Sequence, residues 1–97
     1  MTSSVVYSRR AAAEVEEITA SLAEYGQVAA ERFSQSLERA ERQLSQFPNS
    51  GAPGLFLGTR RLIVGNYIIS YRRRGRGIEI FAVRHTRRRD APRPATP

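Results

Sequence analysis

The chain is predicted to fold as an α+β domain. A short N-terminal strand and an antiparallel helical hairpin pack on a small antiparallel sheet, in the order β-α-α-β-β-β. Three observations predict it. Apolar residues from Ala11 to Phe47 recur at spacings of three and four, with one break at Gly26. A Gly- and Pro-rich stretch, Asn49 to Gly58, then ends the helical pattern. Beyond it lie three β-type runs with short turns between them, which imply a meander.

Each element has a local cause. Val5, Val6 and Tyr7 form a short β-type run. Ser8 can cap a helix, because its hydroxyl can accept an orphan backbone N–H of the first turn. Ala11, Val15, Ile18, Leu22 and Tyr25 then share one helical face. Gly26 is suited to end this helix in a left-handed conformation. A second helix is predicted from Val28 to Phe47, with Ala30, Phe33, Leu37, Ala40, Leu44 and Phe47 as its apolar stripe. Pro48 stops it by disfavouring helical geometry in the residue before it. So short a connection forces the two helices antiparallel. Their other faces carry Glu14, Glu17, Glu24, Glu31, Glu38 and Arg42, read as a solvated surface.

Asn49 to Gly58 reads as loop. Arg60–Val64, Tyr67–Arg73 and Ile78–His85 read as strands, joined by Gly65-Asn66 and by a turn from Arg74 to Gly77. Strict alternation places Tyr67, Ile69 and Tyr71 opposite Ile68, Ser70 and Arg72. In the last strand it sets Ile78, Ile80 and Ala82 against Phe81, Val83 and His85. Neither face is cleanly polar, although a helical hairpin covers only one side of a sheet. A partner segment is a better candidate for the second face than the chain's own tail, whose apolar material is alanine and proline. The predicted domain spans residues 1–90, and residues 91–97 form a Pro-rich flexible tail.

Composition limits the functions available. A chain of 97 residues is one domain, with no cleft between domains. It has no cysteine, and its basic half has one histidine and two acids, which excludes a thiolate site and makes any metal centre implausible. No cofactor is expected. No apolar run approaches the ~20 residues of a membrane span, and Met1–Ser8 lacks the features of a signal peptide, so a cytoplasmic location is expected. All sixteen basic residues are arginine. Residues 1–48 hold five arginines and seven acids, a balance of −2; residues 49–97 hold eleven arginines and two acids, a balance of +9. That asymmetry is the footprint of a polyanion or an acidic protein partner.

The ordered residues resemble the RelE/ParE superfamily of type II toxin–antitoxin toxins, and ParE most closely. Ser8-Arg9-Arg10-Ala11-Ala12 with Val15 and Ile18 is similar to the entry of that family's first helix. Phe47-Pro48 with Gly51 resembles its helix-ending motif. Arg61, Val64, Tyr67, Ile69, Tyr71 and Arg72 resemble its central run, and Ile80, Val83, His85 and Arg88 its terminal one. The resemblance implies a RelE/ParE-like fold and a protein that stalls DNA gyrase on cleaved DNA. It also implies a cognate antitoxin, ParD-like or other, that wraps the toxin in a hetero-oligomer. The expected target-binding residues are Arg61, Arg72, Arg74, Arg84, His85, Arg87 and Arg88, a cationic cluster at the end of the sheet. The expected antitoxin-binding residues are Ile63, Tyr67, Tyr71, Phe81 and Val83.

Two alternatives stay open. An mRNA endoribonuclease of the ribosome-dependent RelE type would need proton-transfer groups and cations, for which His85, Arg61 and Arg84 are the candidates. Such nucleases typically carry a tyrosine near the C-terminus, whereas here Thr86 follows His85 and no tyrosine follows Tyr71. The other reading of His85 is a strand-end histidine bonded to the backbone. A non-catalytic nucleic-acid-binding module would instead use Tyr67 and Tyr71 as stacking platforms, which requires them to be exposed.

Overall fold

The computed structural model describes residues 3–88. The tail predicted over residues 91–97 lies outside them. The elements run β1 (Val5–Tyr7), α1 (Arg9–Tyr25), α2 (Gln27–Gln46), β2 (Ala52–Pro53), β3 (Thr59–Val64), β4 (Tyr67–Arg74) and β5 (Gly77–His85), followed by a 3-10 turn at Thr86–Arg88. They form the predicted α+β arrangement. The five strands make one sheet in the order β1-β5-β4-β3-β2. The first and last strands are thus neighbours, and they pair in parallel. The remaining pairs are antiparallel. β2 is an addition to the expected meander. It is two residues long and sits at the sheet edge, where Pro53 costs no ladder bond to a further strand.

The helices form where the apolar stripes predict. Ser8 Oγ accepts the Ala11 N–H at 3.0 Å and caps α1, while the Ser8 N–H donates to the Ile80 carbonyl at 2.8 Å. Ala11, Phe33, Leu37, Ala40 and Leu44 are buried, with Val15, Ile18 and Leu22 packed beside them. The two stripe ends differ from expectation. Tyr25 is 89% exposed, because core contact on the last turn of α1 ends with Leu22. Phe47 is exposed because α2 stops at Gln46 and Phe47 leaves helical geometry at φ −131°, ψ 75°. Gly26 joins the helices at φ 159°, ψ 158°, not in the left-handed conformation expected. Tyr7 ties β1 to α2 by donating its hydroxyl to Glu41 Oε2 at 2.5 Å. Burial, then the Glu41 carboxylate, holds that phenol well above its ordinary pKa.

The sheet's helix-facing side carries Leu62, Ile69, Tyr71, Ile78, Ile80 and Val83, with Val64 and Tyr67 at its margin. Strict alternation fails in β5. Tyr71 pairs with Ile80 and Ser70 with Ala82, so Phe81 is an extra residue in a β-bulge. The bulge shifts the phase of the strand. Ile78 and Ile80 before it share the core face with Val83 and His85 after it, and Ala82 turns to the outward face. The predicted grouping of Ile80 with Ala82 is corrected accordingly. Tyr71 also anchors the chain after α2. Its hydroxyl donates to the Pro48 carbonyl and accepts the Gly51 N–H, both at 2.9 Å.

Candidate functional site

The expected cationic cluster is divided into three. Arg72 and Arg74 lie at one end of β4, paired with Glu79 and Gly77 across the hairpin. Arg72 contacts Glu79 Oε1 at 2.9 Å and Arg74 contacts Oε2 at 2.8 Å. The Arg72 guanidinium also lies 5.5 Å from the centre of the Phe81 ring. Counting outward from the two-residue turn Gly75-Arg76 would have found the Arg72–Glu79 pair. His85 and Arg87 lie at the other end of β5, roughly 17–20 Å from Glu79 at ~3.3 Å per strand residue. Arg61 and Arg84 lie between, and Arg61 pairs with Ser70 on the outward face. Arg88 belongs to the closing turn, and its side chain lies outside the described part.

The hydrogen bond from Arg72, aided by the charges of both guanidinium groups, lowers the Glu79 pKa against the opposing effect of burial. Its folded value therefore lies below the unfolded one of about 4.3. The resulting stabilisation is present above that pH and lost as pH falls through the folded value. The difference in urea midpoint between the natural chain and Glu79→Gln is expected to be largest near pH 6–7 and to shrink below about pH 4. Urea titrations at three pH values check this, and a pH-independent difference would contradict it.

His85 is a strand-end histidine bonded to the backbone. Its Nδ1 accepts the Arg87 N–H at 3.1 Å, which assigns the proton of the neutral ring to Nε2. The ring stands edge-on to Tyr67 with centroids 5.2 Å apart, on the helix-facing side. Arg61 faces the other way. The sheet thus separates two members of the candidate nuclease set His85, Arg61 and Arg84. Tyr71 is 1% exposed and offers no stacking platform, while Tyr67 is half-buried, with its ring packed on Phe33 at 4.7 Å.

The expected antitoxin-binding residues are divided as well. Tyr71 and Val83 belong to the core, with 1% exposure each, although Val83 also borders the first groove described below. Tyr67 lies on the helix side, whereas Ile63 and Phe81 face outward. Two grooves replace the single surface. The first, about 1060 Å³, runs between α1 and the C-terminal half of β5, past Ile18, Leu22, Tyr25 and His85. Burial beside it raises the Tyr67 pKa. β1 pairs only with Ile78–Ile80, so among the described residues β5 has no strand neighbour on that side further along. There Glu14 Oε1 accepts the Val83 N–H at 2.8 Å. Glu14, expected on a solvated face, instead caps an open strand edge.

The second groove, about 240 Å³, lies on the outward face. Ile68, Ser70, Phe81 and Ala82 line it, with Leu55 and Phe56 beside Arg61 and Arg84. Leu55, Phe56 and Leu57 escaped the sequence reading because they sit inside a Gly- and Pro-rich loop. The available signal was three large apolar residues in a row, between Gly54 and Gly58, with no periodic partner. No helix among the described residues is long and apolar enough to cross a membrane.

Comparison with known proteins agrees with this geometry. No curated protein matches the chain in sequence. A solved structure titled "Chromosomal ParDE TA system from P. aeruginosa" is similar, with a TM-score of 0.73 and 25% identity over 87% of this chain and 96% of that one. The family described as "ParE toxin of type II toxin-antitoxin system, parDE" matches residues 5–90. Strand, hairpin and meander all fall within that span, so the chain belongs to the ParE toxin family of type II toxin–antitoxin systems.

Proposed function

We propose that the chain acts in the cytoplasm as a toxin that inhibits DNA gyrase and is neutralised by a cognate antitoxin. The family match over residues 5–90 carries this reading. The solved ParDE relative supports a protein antitoxin as partner. The groove between α1 and β5 suits such a partner. It has apolar walls at Ile18 and Leu22, and beside it runs a strand edge whose Val83 N–H is taken by a Glu14 carboxylate. An acidic antitoxin would complement the +9 C-terminal half. The position of His85 favours inhibition over ribonuclease chemistry, since its Nδ1 is engaged by the backbone and Arg61 lies across the sheet.

Induction of the chain in bacteria, with DNA and protein synthesis followed separately, tests this. DNA synthesis is expected to stop first, with filamentation and DNA-damage signalling, and co-expression of the antitoxin is expected to restore growth. Immediate loss of translation with codon-specific mRNA cleavage would overturn gyrase as the target in favour of the nuclease. No growth effect, with tight binding to a nucleic-acid oligomer, would favour the binding module.

A further inference from the structure

The loop between β2 and β3 does something that folding alone does not explain. Leu55 is 86% exposed, Phe56 72% and Leu57 104%, so three large apolar side chains in succession stand in solvent. The loop is nonetheless tightly held. The Gly54 N–H donates to the Thr59 carbonyl at 2.8 Å, and the Thr59 hydroxyl and N–H both donate to the Phe56 carbonyl, at 2.6 and 3.1 Å. Gly58 closes the turn at φ 83°, a conformation that side chains disfavour. The result is a braced apolar knob at the rim of the outward groove, continuous with Phe81 and Ile68. Ile63, 67% exposed, extends the apolar surface on the same sheet face. An apolar patch rimmed by charge is the usual mark of a protein contact.

The rim is cationic. Glu79 is the one acid in the five strands, and Arg72 and Arg74 already neutralise it. Arg61 and Arg84 line the groove and have no ion-pair partner among the described residues. A second copy of this chain, related by a two-fold axis, is a poor occupant, because it would set this cationic face against itself. Nucleic acid is a poorer fit than protein, because Leu55, Leu57, Ile63 and Ile68 make most of the patch aliphatic, and only the Phe56 and Phe81 rings could stack on a base.

We propose that the outward groove is where this toxin grips its target protein. The occupant is an acidic segment that places an apolar side chain between Leu55, Phe56 and Phe81 and a carboxylate near Arg61 and Arg84. The inference rests on gyrase inhibition as the activity. It separates the target surface from the α1–β5 groove assigned to the antitoxin.

The test measures affinity for purified gyrase, for the cognate antitoxin and for a DNA oligomer. It compares the natural chain with Leu55→Ser/Phe56→Ser and, separately, Arg61→Glu. Circular dichroism and thermal unfolding check that both variants fold. Each variant is expected to lose about tenfold or more in gyrase affinity, as loss of an interface anchor does. Antitoxin affinity should stay within about twofold, the scatter expected of residues outside a contact. Unchanged gyrase binding in both variants would overturn the groove alone. Lost antitoxin binding with gyrase binding intact would assign the groove to the antitoxin, and selective loss of DNA binding would make it a nucleic-acid surface. If the unmutated chain fails to bind gyrase, the functional reading itself falls.

Discussion

Tyr71→Phe is expected to lower the stability of this protein by about 2–4 kcal/mol, although it removes a single oxygen. That hydroxyl lies in the core, on a side chain 1% exposed, and serves two backbone groups. It donates to the Pro48 carbonyl and accepts the Gly51 N–H, each at 2.9 Å. Phenylalanine fills the same space but leaves both groups without their partner, at about 1–3 kcal/mol for each one kept from water. A domain of this size is stable by only about 5–15 kcal/mol, so the loss should lower the melting temperature by about 10–20 °C. The space is too tight for a simple repair. A Cβ added at Gly51 would stand 2.6 Å from the Arg61 carbonyl and 2.8 Å from the Tyr71 hydroxyl. Arg60 holds the same turn from outside, donating to the Gly51 carbonyl at 2.7 Å. The joint sets where the chain leaves α2 and therefore where the Leu55–Leu57 knob stands. Thermal or urea unfolding measures the effect. A loss below about 1 kcal/mol would mean that water replaces the hydroxyl.

The helical hairpin was legible in the sequence because each apolar stripe serves one face at one period. Ser8, Pro48 and the short turns between strands marked the element ends by local chemistry that tertiary packing did not override. β2 was not legible, because Ala52–Pro53 is too short to carry a pattern and is held only by pairing with Arg60 and Arg61. The phase shift in β5 was hidden for another reason. Ile80, Phe81, Ala82 and Val83 are all apolar, so nothing in the run shows where alternation slips; only pairing with β4 shows it. The site suffered most. Arginines close in sequence looked like one cluster, yet the pleat turns them to different faces and Glu79 claims two of them. The role of Glu14 depends on a strand 69 positions away, which helical periodicity cannot report.

The bulge carries the second large prediction, a contrast between two single-residue deletions. Removing Phe81 from β5 is expected to leave the fold intact, whereas removing Ile69 from β4 should abolish it. Without Phe81, Ile80 still pairs with Tyr71, Ala82 with Ser70 and Val83 with Ile69, and the core residues keep their face. The strand becomes regular instead of broken. The folding loss is limited to contacts of the Phe81 ring, including about 0.5–1 kcal/mol from the guanidinium of Arg72. Removing Ile69 leaves no such slack. It deletes a fully buried side chain and shifts the rest of β4 by one residue against both neighbours, which turns its core face outward. Circular dichroism and amide NMR spectra would separate a folded protein from an unfolded one. The bulge exists, on this account, because it aims an aromatic ring at the outward groove. The Phe81 deletion should therefore be folded, still bound by the antitoxin, and without effect on DNA synthesis when induced. A Phe81 deletion that fails to fold would show that the extra residue sets the register of β5. One that folds and remains fully toxic would detach the bulge from target recognition.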